Sequence, residues 1–204
     1  MNNFTLRLKR ETYDNHTILD THIFVKSLYD ENYNKNVEYY LELHYVILNE
    51  LNVLINKKGR ESFPNFFDYF DKEYTIYNGS DLISRKSVRR VLDKINIDSE
   101  NNELFICHLY IWWLGVLFGG QIIKKLINKN NNTLNELTGL IFDFGCDSRE
   151  LVREFRKYLN STILEEEKFI KNVNETYLMI RDVFDELTDE PRDTIELKSN
   201  YIII

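Results

Sequence analysis

Three of the chain's seven glycines fall inside one apolar helical run, Tyr110 to Lys125, read as Y-I-W-W-L-G-V-L-F-G-G-Q-I-I-K-K. Each glycine in a helix interior costs roughly 1 kcal/mol relative to alanine, so Gly115, Gly119 and Gly120 together forgo on the order of 3 kcal/mol of local propensity. Something lying close to the backbone has to offset that loss. Gly115 and Gly119 are four residues apart and share a helix face, where absent side chains leave room for a second helix or a flat ligand. The wider run Leu104 to Ile123 is long enough to be mistaken for a membrane span. His108 within it and Lys124-Lys125 at its end favour a buried core helix, around which the rest of the chain must pack.

With 204 residues and 43% apolar content, the chain can build one domain with a full core. A net charge of -7 and a pI near 5.2 speak against direct nucleic-acid binding, which calls for a concentrated basic surface. Cys107 and Cys146 are too few and too separated for a disulfide framework or a cysteine zinc site. No strand alternation persists beyond a few residues, so the fold class is all-α. The chain has no alanine and 23 asparagines, which reports an AT-rich genome more than a fold.

Taken in order, Met1 to Leu28 reads as a helix capped near Asn3 or Thr5, with Leu8, Thr12, His16, Leu19 and Ile23 on one face. His16 is thus expected to face inward, as a hydrogen-bonded core histidine or a ligand, and His22, about 120° away, to be solvated. Val37 to Lys57 forms a second helix that Gly59 ends, with His44 on its apolar stripe as core packing. Glu61 to Gly79 contributes aromatic core residues, and Ser80 to Ile97 a short helix whose Arg85, Lys86, Arg89 and Arg90 form a solvated basic face. Leu137 to Phe144 leads through Gly145 into a helix from Asp147 to Ser161, and Ile163 to Leu187 is the last helix. The domain is expected over residues 1–190, with a loose tail at 191–204.

Residue order adds a resemblance. Leu114-Gly115-Val116-Leu117-Phe118-Gly119-Gly120-Gln121 resembles the distal helix of the heme oxygenases, usually L-G-D-L-S-G-G-Q. Leu8-Lys9-x-x-Thr12-x-x-x-His16-Thr17 resembles the proximal helix of the same family, whose histidine binds the heme iron. The resemblance implies a heme oxygenase-like multi-helix domain, with His16 as the iron ligand. It also implies propionate contacts at Lys9, Tyr110 and Arg156, and a heme face along Gly115 and Gly119.

Two positions depart where the family's chemistry sits. Val116 stands for an aspartate that orders the proton-delivering water, and Phe118 for a serine. A general acid must reach its acceptor directly or through one water, and an ordered water needs two to four polar partners. Valine and phenylalanine supply neither. Trp112, where the family often has arginine, and Val152, where it has lysine, remove two further cations. No catalytic residue is therefore assigned, and Phe118, Val116 or Trp112 is expected to fill the space between the His16 helix and the glycine strip.

The expectation is a degenerate heme oxygenase-like protein, not an enzyme, that requires no cofactor and serves as a scaffold or interaction module. The alternatives are a heme-binding sensor or carrier using His16, and an active oxygenase converting heme to biliverdin, iron and CO. The composition and broken motif resemble the divergent heme oxygenase-like branch of malaria parasites. That implies a soluble, intracellular setting in the relic plastid, with proteins of the organelle as partners and no membrane. Nucleic-acid affinity would have to come from a basic N-terminal extension absent from this sequence.

Overall fold

The computed structural model describes residues 3–29, 34–70, 81–130 and 141–188, without the side chains of 126–130. The described helices are α1 (Phe4–Glu11), α2 (Tyr13–Asp20), α3 (Ile23–Ser27), α4 (Asn34–Lys58), α5 (Lys86–Asp98) and α6 (Asn102–Asn130). They continue with α7 (Ser148–Thr162) and α8 (Glu166–Thr188), and 3-10 turns cover Arg60–Ser62, Asn65–Phe70 and Asp81–Ser84. No strand occurs among the described residues, as expected of an all-α chain. The expected tail lies outside the described residues, as do the aromatic segment from 71 to 79 and the start of the expected Leu137 helix.

The first expected helix is three helices, broken at two threonines. Thr12 and Thr21 leave helical geometry, at φ −109° and −96°. Thr12 Oγ1 donates back to the Leu8 carbonyl at 2.9 Å, and Thr21 Oγ1 to the Thr17 carbonyl at 2.8 Å, but Thr17 makes the same bond to Tyr13 inside α2, so back-bonding accompanies the breaks without being sufficient for them. Beyond the second break, His22 is not solvated as expected. Its side chain is only 10% exposed, Nδ1 accepts from the Phe24 N–H at 3.1 Å as the cap of α3, and Nε2 meets Asp185 at 3.1 Å. The 120° offset assumed a continuous helix, which the break at Thr21 removes.

α8 is the central support, packing against α2, α3, α5 and α6. The segment from α1 to α3 is fastened to the bundle near both ends and at Asn15, whose Nδ2 donates to Asn174 Oδ1 at 2.8 Å. Arg7 pairs with Glu166, at 2.9 Å, and with Glu167, while His22 holds Asp185. Between these fastenings α2 packs on α8 yet buries none of its eight residues. α5 starts against α8, where Glu186 accepts from the Ser87 N–H at 3.0 Å.

The apolar run is a core helix. Asn102–Lys125 is long and apolar enough to cross a membrane, but 67% of its most apolar window is buried inside the protein. Trp113 is fully buried, stacked on Phe70 at 3.9 Å and met edge-on by Phe67 at 4.9 Å. His44 is buried, as expected, with Nδ1 2.8 Å from the Tyr40 carbonyl. Cys107 is buried and Cys146 half-buried, both as free thiols.

Candidate functional site

The three glycines of α6 divide into two kinds. A Cβ at Gly120 would come within 2.5 Å of the Phe142 ring, so this residue is glycine because a buried aromatic lies against the backbone. At Gly115 and Gly119 nothing lies within 4 Å of where a Cβ would stand, and both residues are exposed. Their propensity cost is thus not offset by any described protein neighbour. The helix presents bare backbone there, flanked on the same face by the exposed apolar side chains Phe118 and Ile122.

Of the three side chains expected to fill this face, two do not. Val116 is 1% exposed and Trp112 3%, both turned into the core, and the Trp112 ring meets His44 edge-on at 5.6 Å. Phe118 is 49% exposed, with the Arg156 guanidinium 5.7 Å from its ring centroid. Neighbouring positions on a helix point about 100° apart. The side chains next to Gly115 and Gly119 can therefore be buried while the glycines stay bare.

His16 is the second departure. Its side chain is 53% exposed where the periodicity placed it inward. Leu8 and Thr12 on the same face are buried, whereas past the break at Thr12 the face lies against α8 without being covered, so that Leu19 is half-buried and His16 exposed. His16 Nδ1 pairs with Asp20 Oδ2 at 2.9 Å, and the ring lies edge-on to Tyr177 of α8 at 5.5 Å. Nε2 has no hydrogen-bond partner among the described residues. With a carboxylate beside Nδ1, Nε2 is the ring nitrogen left open to a ligand. Asp20, one turn after His16, is the residue the sequence reading missed, and its i, i+4 spacing was the available signal.

Of the residues assigned to anion contacts, Lys9 and Arg156 are exposed and Tyr110 is half-buried. Burial pushes the Tyr110 hydroxyl up to about 12, with its bond to Tyr177 acting in the opposite direction. Tyr177 thus touches both His16 on α2 and Tyr110 on α6. Val152 is buried in the core at 5% exposure, so α7 offers no cation there. A separate depression lined by Gln121, Phe142, Asp143, Phe144, Gly145, Cys146 and Ser148 contains none of these residues.

The donor set fits a heme. It comprises one imidazole nitrogen with a carboxylate behind it, a bare helix face for a flat macrocycle, and exposed cations in Lys9 and Arg156. Val116 and Phe118 add no polar group to this set beside the glycines.

A family model described as heme oxygenase matches residues 2–186. A heme oxygenase of Porphyra purpurea is 26% identical over 202 residues, covering 88% of this chain and 84% of that protein. One of Guillardia theta is 27% identical over 177 residues, covering 78% and 74%. Among solved structures, heme oxygenase-1 of the cyanobacterium Synechocystis in complex with heme aligns with a TM-score of 0.68 at 20% identity, over 91% of this chain and 92% of that one. Heme oxygenase-2 of Synechocystis, in complex with heme and NO, aligns with a TM-score of 0.71 at 22% identity, over 92% and 86%. At these identities the structural likeness speaks for the fold.

Proposed function

Because the chain belongs to the heme oxygenase family, we propose that it holds heme through His16 Nε2 against the Gly115–Gly119 face and does not degrade it. The observation that carries this reading is the bare face itself. Two helix-interior glycines with nothing among the described residues within 4 Å of where a Cβ would stand are a cost that no described neighbour offsets, and a flat ligand laid on them would offset it. When bound, heme supplies an iron that accepts a nitrogen lone pair and two carboxylates that accept hydrogen bonds. His16 gives the lone pair, Asp20 orients the ring, and Lys9 and Arg156 meet the carboxylates. Tyr177 supports the imidazole from behind.

Turnover of the ring needs a proton delivered on the glycine side, directly or through one water. Val116 is buried and apolar, and Phe118 presents a ring where a hydroxyl would hold water. The chain therefore retains binding and lacks proton delivery. This reading carries with it a non-catalytic role among proteins of a plastid-type organelle, and kinship with the malaria-parasite branch. Its support there is the composition together with the broken Leu114–Gln121 motif.

The test is a heme titration of the parent protein and His16→Ala, followed by addition of a reductant and oxygen. A saturable Soret band in the parent that shifts in His16→Ala, with no biliverdin above the protein-free background, is expected. Regiospecific biliverdin with iron release would establish the active enzyme instead. Identical titrations of the two proteins would leave a scaffold that needs no heme.

A further inference from the structure

The most polar part of the core lies two turns before Gly115, where one carboxylate oxygen gathers three donors. Asp98 Oδ2, at the end of α5, is 2.7 Å from His108 Nε2 on α6, 3.0 Å from Lys94 Nζ and 3.1 Å from Asn172 Nδ2 on α8. His108 is fully buried and Asp98 and Asn172 are each 5% exposed. Asn172 is held in turn by Thr176, whose hydroxyl donates to its carbonyl at 2.8 Å. Three helices thus meet at one ionised group, and the heme site's α6 is one of them.

His108 Nδ1 is buried and has no hydrogen-bond partner among the described residues. With Nε2–H donating to Asp98, a neutral ring leaves only a bare lone pair there. A protonated ring would leave a buried N–H with no acceptor, which is the more costly orphan because it also carries charge. Burial pushes His108 below the usual imidazole range, against the opposing pull of Asp98. Burial also works against the Asp98 carboxylate, but its bonds from His108, Lys94 and Asn172 outweigh that and hold it at about 2. The other titratable groups facing the cluster are the buried Cys107 thiol beside His108 and Glu175 of α8, 3.9 Å from Lys94.

We infer that the His108–Asp98–Asn172 cluster is a proton-operated latch on α6: the neutral imidazole holds the helix against α5 and α8, and a proton at Nδ1 releases it and loosens the Gly115–Gly119 face. The carboxylate stays ionised throughout the physiological range, so the titrating member is the histidine. Protonation can occur only if Nδ1 reaches water, and that requires the start of α6 to move outward. The rest of the molecule need not follow, since α7 and the far half of α8 do not touch the cluster.

The chain's only tryptophans, Trp112 and Trp113, sit on α6 one turn after His108 and report this movement without any ligand. The ligand arm alone rests on the heme-holding reading. Tryptophan emission of the ligand-free protein, followed from pH 8 to pH 5, should show a transition that His108→Gln abolishes. Glutamine keeps an N–H for Asp98 and does not titrate. His44→Gln should retain the transition, because His44 also faces Trp112. Metal-free protoporphyrin, which does not need His16 as a ligand, should bind the parent at least tenfold more weakly at pH 5.5 than at pH 7.5, and His108→Gln within threefold at both. A flat emission profile in the parent overturns the latch, as does a transition lost in His44→Gln and kept in His108→Gln. Porphyrin failing to bind at any pH would sink the heme reading and leave the emission result to decide the latch. Should His108→Gln not fold, amide exchange of the parent decides. Amides 105–112 must gain exchange relative to those of α7 as the pH falls, and equal behaviour refutes the proposal.

Discussion

His16 Nδ1 and Asp20 Oδ2 stand 2.9 Å apart on successive turns of α2, both side chains more than half exposed. A surface contact of that kind contributes little to stability; on the heme-holding reading its use would be to orient the ring. Asp20→Ala should leave the melting temperature within about 1 °C of the parent and weaken heme binding by about tenfold, the low end for loss of a group behind a ligating histidine. Parallel thermal melts and heme titrations check both halves.

The two kinds of glycine in α6 predict opposite responses. Gly115→Ala adds a methyl to open space and should stabilise the helix by about 0.5–1 kcal/mol. Gly120→Ala drives a Cβ to within 2.5 Å of Phe142, a ring that is 1% exposed and has nowhere to go. A loss of about 1–3 kcal/mol is expected there. Gly119→Leu should fold normally and bind heme at least tenfold more weakly. Denaturant unfolding with a heme titration separates the three.

Restoring the family's polar pair tests what was lost. Val116→Asp with Phe118→Ser places a carboxylate and a hydroxyl beside the glycine strip. Biliverdin should then form above background with a reductant and oxygen, measured by its visible absorbance. The cost is a carboxylate at a site only 1% exposed, destabilising by about 1–3 kcal/mol.

Acid should weaken the fold in a window to which His44 contributes alongside His108. Burial lowers the His44 imidazole to about 4, against a backbone bond to Tyr40 that raises it. The unfolded chain, with a histidine near 6.5, therefore binds the extra proton first as pH drops. The stabilisation is complete above about pH 6.5 and is lost progressively as pH falls towards 4. His44→Gln should flatten the acid limb of stability against pH by up to about 1.4 kcal/mol per unit, as urea melts across the range would show.

The helices were largely legible in the sequence because 3.6-residue periodicity survives in α4, α5, α7 and α8. So was the glycine face, since nothing but a close neighbour or a ligand explains Gly115 with Gly119. The exposure of His16 was not. Periodicity reports which residues share a face and is silent on whether anything covers it. The breaks at Thr12 and Thr21 were not legible either, since Thr17 carries the same hydroxyl inside an unbroken helix. Trp112 was read by volume, yet its direction about α6 turns it into the core. Asp98 and His108 are ten residues apart on different helices, so only the fold could pair them.

One consequence of how the N-terminal segment is fastened concerns time rather than energy. α2 is about 12 Å of helix, flanked by Arg7 on Glu166 and Glu167 and by His22 on Asp185, and tied within its first turn by Asn15 Nδ2, which donates to Asn174 Oδ1 at 2.8 Å. On the heme-holding reading, a ligand entering past α2 would have to wait for one of these ties to part. Arrival and escape would be slowed together, leaving the equilibrium constant untouched, and surface contacts of α1 and α2 would set how long a bound ring stays.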